Sequence, residues 1–284
     1  MNTFDRRLTP ARADLAAAYL KGRVTAERYV EGVVMEVKDG VVDLRRAPRP
    51  DAAVDTQALY GERVTVYDEE EGWAWAQLSG DGYVGWIAAC SLWSELSEPT
   101  HRVCAPRTFV YPAASIKEPP LLALPLSAQV SVVDERGSFL VTRDRGFIWR
   151  PHLAPLDAPA EDFVAVAERL LDAPYLWGGK SSIGVDCSGL VQIALAAAGR
   201  AAPRDSDMQE AQLGEAVAIG APLARGDLVF WKGHVGIMRD PTTLLHANGT
   251  HMLVSSEPLD LVRARNLDAG AGDVTGVRRL TGRA

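Results

Sequence analysis

Cys187, His234 and His246 are the residues whose types and settings combine into chemistry. Cys187 closes a glycine-rich stretch, PYLWGGKSSIGVDCSGLV (174–191), and opens an apolar run that reads as a helix ended by Gly199. A helix start offers unpaired N–H groups and the positive end of the helix dipole. Both favour a thiolate, the reactive form of a cysteine nucleophile. The small neighbours Ser188 and Gly189 leave room for a substrate carbonyl, and the local amides can form part of an oxyanion hole. His234 begins a strand in RGDLVFWKGHVGIMRD, and His246 lies in TTLLHANGT. A turn at Asp240-Pro241 makes the two segments antiparallel neighbours, so both imidazoles can face one side of a sheet. The roles then follow: Cys187 attacks a carbonyl carbon, His234 holds its proton and later gives it to the leaving amine, and His246 fixes the ring of His234. The same residues with His251 lack the paired C-x-x-C or compact H-x-x-x-H spacing of a zinc site, so neither metal nor cofactor is expected.

These groups need a helix and an antiparallel sheet to hold them. Asp157 or Asp162 can cap a helix running to Leu171, and the Cys187 helix follows. The segments DLVFW, HVGIMR, TLLHAN and MLVSS then read as strands. Helices first and sheet second is an α+β pattern, assigned to residues 157–284. Upstream, VVMEV, VVDLRR, RVTVYD, WAWAQL and YVGWIA are short strands separated by Asp-Gly and Glu-Gly turns, which predicts a small barrel over 31–98. A looser copy occupies 99–156; DGYVGWIAACSL and DRGFIWRPHL close the two copies in the same way. Residues 1–30 read as an arm with a helix from Pro10 to Leu20.

Composition narrows the partners. A net charge of −7 argues against nucleic acid and gives no reason for binding anionic membranes. No apolar run approaches the ~18–20 residues that span a bilayer, and Asp14 interrupts the N-terminal apolar piece, so the expected compartment is the cytoplasm. Cys90, Cys104 and Cys187 fit a reducing compartment, a Cys90–Cys104 disulfide being the alternative.

The run DCSGLVQ (186–192), with GDLVFW and HVGI (226–237) and LLHA (244–247), resembles the NlpC-type cell-wall cysteine peptidases over about 160–280. That resemblance implies a papain-like fold. With the two upstream barrels, nearly the whole chain resembles the γ-D-glutamyl-L-diamino-acid endopeptidases of the dipeptidyl-peptidase VI type, which carry two bacterial SH3-like domains. The implied reaction is cleavage between γ-linked D-Glu and the diamino acid of a small muropeptide with a free N-terminal L-Ala, in peptidoglycan recycling. By the same resemblance Tyr175 helps bind the reacting carbonyl region, Asp186 and Ser188 flank the nucleophile, and Asp205 and Ser206 line the substrate pocket. Tyr83 is the candidate for an aromatic contributed by the first barrel, and Asp55 or Glu62 for a carboxylate that meets the substrate ammonium. The competing readings are an exported D,L-endopeptidase acting on intact wall, a catalytically inactive wall-peptide binder, and an acyltransferase or amidase on the same scaffold.

Overall fold

Leu15, Ala16 and Ala17 are buried in succession, a pattern that a half-exposed helix does not produce. In the computed structural model, which describes residues 4–144 and 146–280, they form a short strand paired in parallel with Arg28–Val30. The expected helix from Pro10 to Leu20 is therefore corrected to a strand and a single 3₁₀ turn, Ala18–Leu20. Burial of Leu15 against Trp75 and Trp86 overrides the helix propensity of the alanines. The chain divides into two compact units, Met1–Leu156 and Asp157–Ala284.

The N-terminal unit is built on antiparallel sheet apart from that first pair. Seven strands run in the order Val54–Leu59, Val41–Arg45, Val84–Ala88, Trp73–Leu78, Arg63–Glu70, Val33–Val37, Leu92–Trp93. Inward-facing Val37, Leu44, Val64, Ala76, Leu78 and Ile87 form their core. The stretch that follows has a five-stranded sheet and a three-stranded one, with a core around Val103, Leu124, Leu140 and Ile148. The copies end alike, as expected from their sequences: each runs strand, 3₁₀ turn, strand, through Val84–Ala88, Ala89–Ser91 and Leu92–Trp93 in the first and Phe147–Trp149, Arg150–His152 and Leu153–Pro155 in the second. The sheets are not closed barrels. Val54–Leu59 and Leu92–Trp93 are edges, each paired on one side only. All three cysteines are free thiols, Cys90 exposed and Cys187 buried.

The C-terminal unit opens with helix α1, Phe163–Glu168, capped by Asp162, whose carboxylate accepts the Val164 and Ala165 N–H groups. Helix α2, Cys187–Ala197, ends as expected before Gly199 at φ 72°. Helix α3, Ser206–Gln212, and helix α4, Leu259–Asp268, arise in stretches with no clear apolar period. The six-stranded antiparallel sheet has the order Glu215–Val217, Gly276–Arg279, Leu228–Trp231, His234–Met238, Thr243–Asn248, Leu253–Pro258. Helix α2 packs on the two neighbouring strands that carry the histidines, His234–Met238 and Thr243–Asn248. Among the described residues, no helix is long and apolar enough to cross a membrane.

Candidate active site

The site begins with the start of α2. Asp186 is its N-cap and accepts the Gly189 N–H at 2.7 Å and the Gly178 N–H at 2.9 Å. One carboxylate thus ties the glycine-rich loop to the helix that carries Cys187. A Cβ at Gly189 would collide with the Gly179 carbonyl oxygen. The small residue expected there for substrate access is therefore required for the loop's close approach.

Behind Asp186 lies Arg204, which sequence reasoning passed over. Its side chain is 1% exposed, and its two terminal nitrogens donate to the two Asp186 oxygens at 2.9 and 2.6 Å. One of them also donates to Ser188 Oγ at 2.9 Å. Such a fork-to-carboxylate pair holds the helix start in one orientation. The signal was available in PRDSDMQ, where Arg204 directly precedes the Asp205 and Ser206 already singled out.

The sheet sets His234 and His246 on strands that pack against this helix. The register Ile237–Leu245 and Met238–Leu244 sets His246 across from Gly236, two residues beyond His234, so both rings share a face. His234 Nε2 and His246 Nδ1 are 2.8 Å apart. That is a direct hydrogen bond. The backbone N–H groups of Ser188 and of Val235, the residue after His234, both act on the Cys187 sulfur and favour its ionised form. With Nε2 committed to His246, Nδ1 is the His234 nitrogen left to take the thiol proton.

Burial dominates the resting electrostatics. It pushes the Cys187 thiol up to about 12, helped by the negative charge of Asp186 and opposed by the two backbone N–H groups and Arg204. Burial likewise holds His234 down at about 3, with His246 and Arg265 adding to the effect. Burial thus works against the thiolate expected at the helix start and favours a neutral Cys187 thiol and a neutral His234 imidazole, against the pull of the helix amides. In a Cys90→Ser, Cys104→Ser background, alkylation of Cys187 by iodoacetamide should therefore keep rising, about tenfold per pH unit, beyond the ~8.5 at which a free cysteine titrates. Rates measured from pH 6 to 10.5 check this; a plateau below pH 8 would contradict the neutral pair.

The remaining expected residues fall in two places. Tyr175, half-buried, bridges in parallel to Val185, and its N–H donates to the Met252 carbonyl. Its hydroxyl is pushed up to about 12, first by burial and then by the charges of Cys187 and Asp186, so it remains a proton donor beside the nucleophile. Asp205 holds the N-cap position of α3 without its side chain bonding the cap, and Ser206 begins that helix, buried. Tyr83, Asp55 and Glu62 belong to the N-terminal unit. Tyr83 is buried in that unit's core. Asp55 is ion-paired to Arg46 at 2.6 Å, and Arg46 also feels Tyr83. Glu62 lies between strands Val54–Leu59 and Arg63–Glu70.

A second unanticipated group lies beyond His246. Glu257 is 3.0 Å from His246 Nε2 and accepts two hydrogen bonds from Arg265 of α4, at 2.7 and 3.0 Å. His251, the fourth residue of the discarded zinc set, is 3.1 Å from its other oxygen. Nothing in SSEPLD marks this carboxylate; only strand register brings it to His246.

This constellation can carry out nucleophilic attack with a paired base, and comparison with known proteins points the same way. The NlpC/P60 family matches residues 172–266, and the bacterial dipeptidyl-peptidase Sh3 domain matches residues 44–92. The chain is 32% identical over 228 residues to the gamma-D-glutamyl-L-lysine dipeptidyl-peptidase of Bacillus subtilis, covering 70% of this chain and 74% of that one. It is 28% identical over 240 residues to the protein of the same name from Bacillus cereus, covering 73% and 71%. Among solved structures, an NlpC/P60 family protein from Bacillus cereus matches with a TM-score of 0.73 over 88% of this chain and 100% of its own, at 22% identity, a likeness of fold.

Proposed function

The chain belongs to the NlpC/P60 family, and from that premise we propose that it is a cysteine peptidase releasing L-Ala-D-Glu from peptidoglycan peptides of the form L-Ala-γ-D-Glu-L-diamino acid. The observation that carries this reading is the pairing of His234 with His246 at 2.8 Å on the sheet that packs against the Cys187 helix, with the backbone N–H of Val235, the residue after His234, acting on the Cys187 sulfur. Sγ attacks the γ-carbonyl carbon of D-Glu while its proton passes to His234 Nδ1. The oxyanion forms against the amides at the start of α2 and the Tyr175 hydroxyl. His234 then protonates the departing amine of the diamino acid, and water, with His234 as base, hydrolyses the thioester. Carboxylate-to-ammonium pairing between Asp205 and the N-terminus of L-Ala sets the requirement for a free amine. In this reading the substrates are soluble muropeptides in the cytoplasm, turned over in wall recycling, and intact wall is a poor substrate.

The test is hydrolysis of L-Ala-γ-D-Glu-L-Lys, its diaminopimelate counterpart and their N-acetyl derivatives, with products read by mass spectrometry. Loss of a charged hydrogen-bonded pair costs about 1.5–3 kcal/mol, so acetylation should lower kcat/KM by between about tenfold and 150-fold. Asp205→Asn should remove most of that discrimination. Equal rates on free and acetylated peptides would overturn the role of the amine.

A further inference from the structure

A carboxylate that only accepts hydrogen bonds can dictate where every proton sits along a chain of imidazoles. Glu257 is placed to do so. It lies on strand Leu253–Pro258 with a side chain 14% exposed. Its oxygens receive Arg265 Nη1 at 2.7 Å, Arg265 Nη2 at 3.0 Å and Ser255 Oγ at 3.2 Å, and they face His246 Nε2 at 3.0 Å and His251 Nε2 at 3.1 Å. Arg265 is the leading cause that holds the carboxyl well below the usual carboxylate range, so it is ionised and has no proton to give. His246 is 1% exposed and neutral, since burial lowers its affinity for a second proton.

From this geometry we infer that Glu257 is a positioning residue that fixes the tautomers of both active-site imidazoles, so that the His234 lone pair faces Cys187. Facing a pure acceptor, His246 must carry its proton on Nε2. Its Nδ1 is then a lone pair. Across the 2.8 Å contact His234 Nε2 must donate to that lone pair, which leaves His234 Nδ1 unprotonated and, in the peptidase reading, the nitrogen that takes the thiol proton. The opposite arrangement would point an N–H at the thiol, and the base could not take its proton. Arg265 thereby acts on the nucleophile through three hydrogen-bonded side chains without touching substrate. This inference deepens the peptidase reading and rests on it for its catalytic consequence; the tautomers themselves do not depend on that reading.

The experiment has two arms. The first uses the wild-type protein alone. Long-range ¹H–¹⁵N spectra of the histidine side chains at neutral pH, assigned with His→Asn variants among the five histidines, should show the Nε2–H tautomer for both His234 and His246. An Nδ1–H tautomer at either ring overturns the inference. The second arm is Glu257→Gln. Arg265 has only donors to offer and makes its shorter contact, 2.7 Å, with the oxygen that faces His251, so the carboxamide oxygen is drawn there and the NH₂ turns toward His246, which inverts both rings. Replacing a buried triad carboxylate by its amide costs a serine peptidase ~10⁴-fold in kcat through the wrong tautomer. One residue further from the base, we expect a kcat loss of ~10²-fold, with KM within a few-fold, on L-Ala-γ-D-Glu-L-Lys. The His246 signal should move to Nδ1–H. A loss below tenfold, or an unmoved tautomer, overturns the inference. If Glu257→Gln does not fold, the wild-type spectrum alone decides. If the wild type does not cleave the tripeptide, the peptidase reading fails while the spectra still report on Glu257.

Discussion

Cys187→Ala should reduce release of L-Ala-D-Glu from L-Ala-γ-D-Glu-L-Lys by ~10⁴-fold or more, while the protein keeps its fold. Removal of a covalent nucleophile leaves only binding and oxyanion stabilisation, and in a serine peptidase of comparable logic it costs ~10⁶-fold in kcat. The adjacent hydroxyl is not free to take over. Ser188, the adjacent hydroxyl, is buried and engaged by both Arg204 and Asp186. The side chain removed is one sulfur, so the structural change is small. Asp186 still caps α2, and the His234–His246 contact does not involve the cysteine. Product formation followed by mass spectrometry, with a melting curve to verify folding, makes the measurement. Residual activity above one hundredth of wild type would mean that another group forms the acyl bond.

Arg204→Met should have the largest effect on stability of any single change at the site. The guanidinium is buried, its partner carboxylate is nearly so, and the two are joined by two short hydrogen bonds. Removing one partner of a buried pair leaves the other charge without compensation, at a cost of about 3–5 kcal/mol. That is a large fraction of the ~5–15 kcal/mol that stabilises a domain. The C-terminal unit should melt lower by roughly 10 °C or more. The chemistry suffers separately. Arg204 opposes the effect of Asp186 on the Cys187 thiol, so its loss should make the sulfur still harder to ionise. The double variant Arg204→Met, Asp186→Asn removes both charges and should recover part of the stability, though not the activity, because the amide cannot accept both the loop N–H of Gly178 and the helix N–H of Gly189 as a carboxylate does. Calorimetry on the four members of this cycle measures the coupling. Additive losses would show that the pair is not the structural joint described here.

The sequence by itself determined the local features. The Cys187 helix, its glycine stop and the four strands from DLVFW to MLVSS follow from apolar periodicity and turn residues, which act over a few positions. The two matching strand–turn–strand endings in the N-terminal unit were legible for the same reason. The alanine-rich N-terminus misled because its propensity is helical while its neighbours in space are Trp75 and Trp86. Only the tertiary structure decided which charges meet. Arg204 reaches Asp186 across 18 residues, and Glu257 reaches His246 across a strand pairing. Neither contact leaves a periodic trace, since an ion pair depends on where two backbones pass and not on the residues beside it. The protonation of the site was decided there too: the same cysteine at the same helix start is a thiolate if wet and a thiol if buried, and burial belongs to the folded chain as a whole.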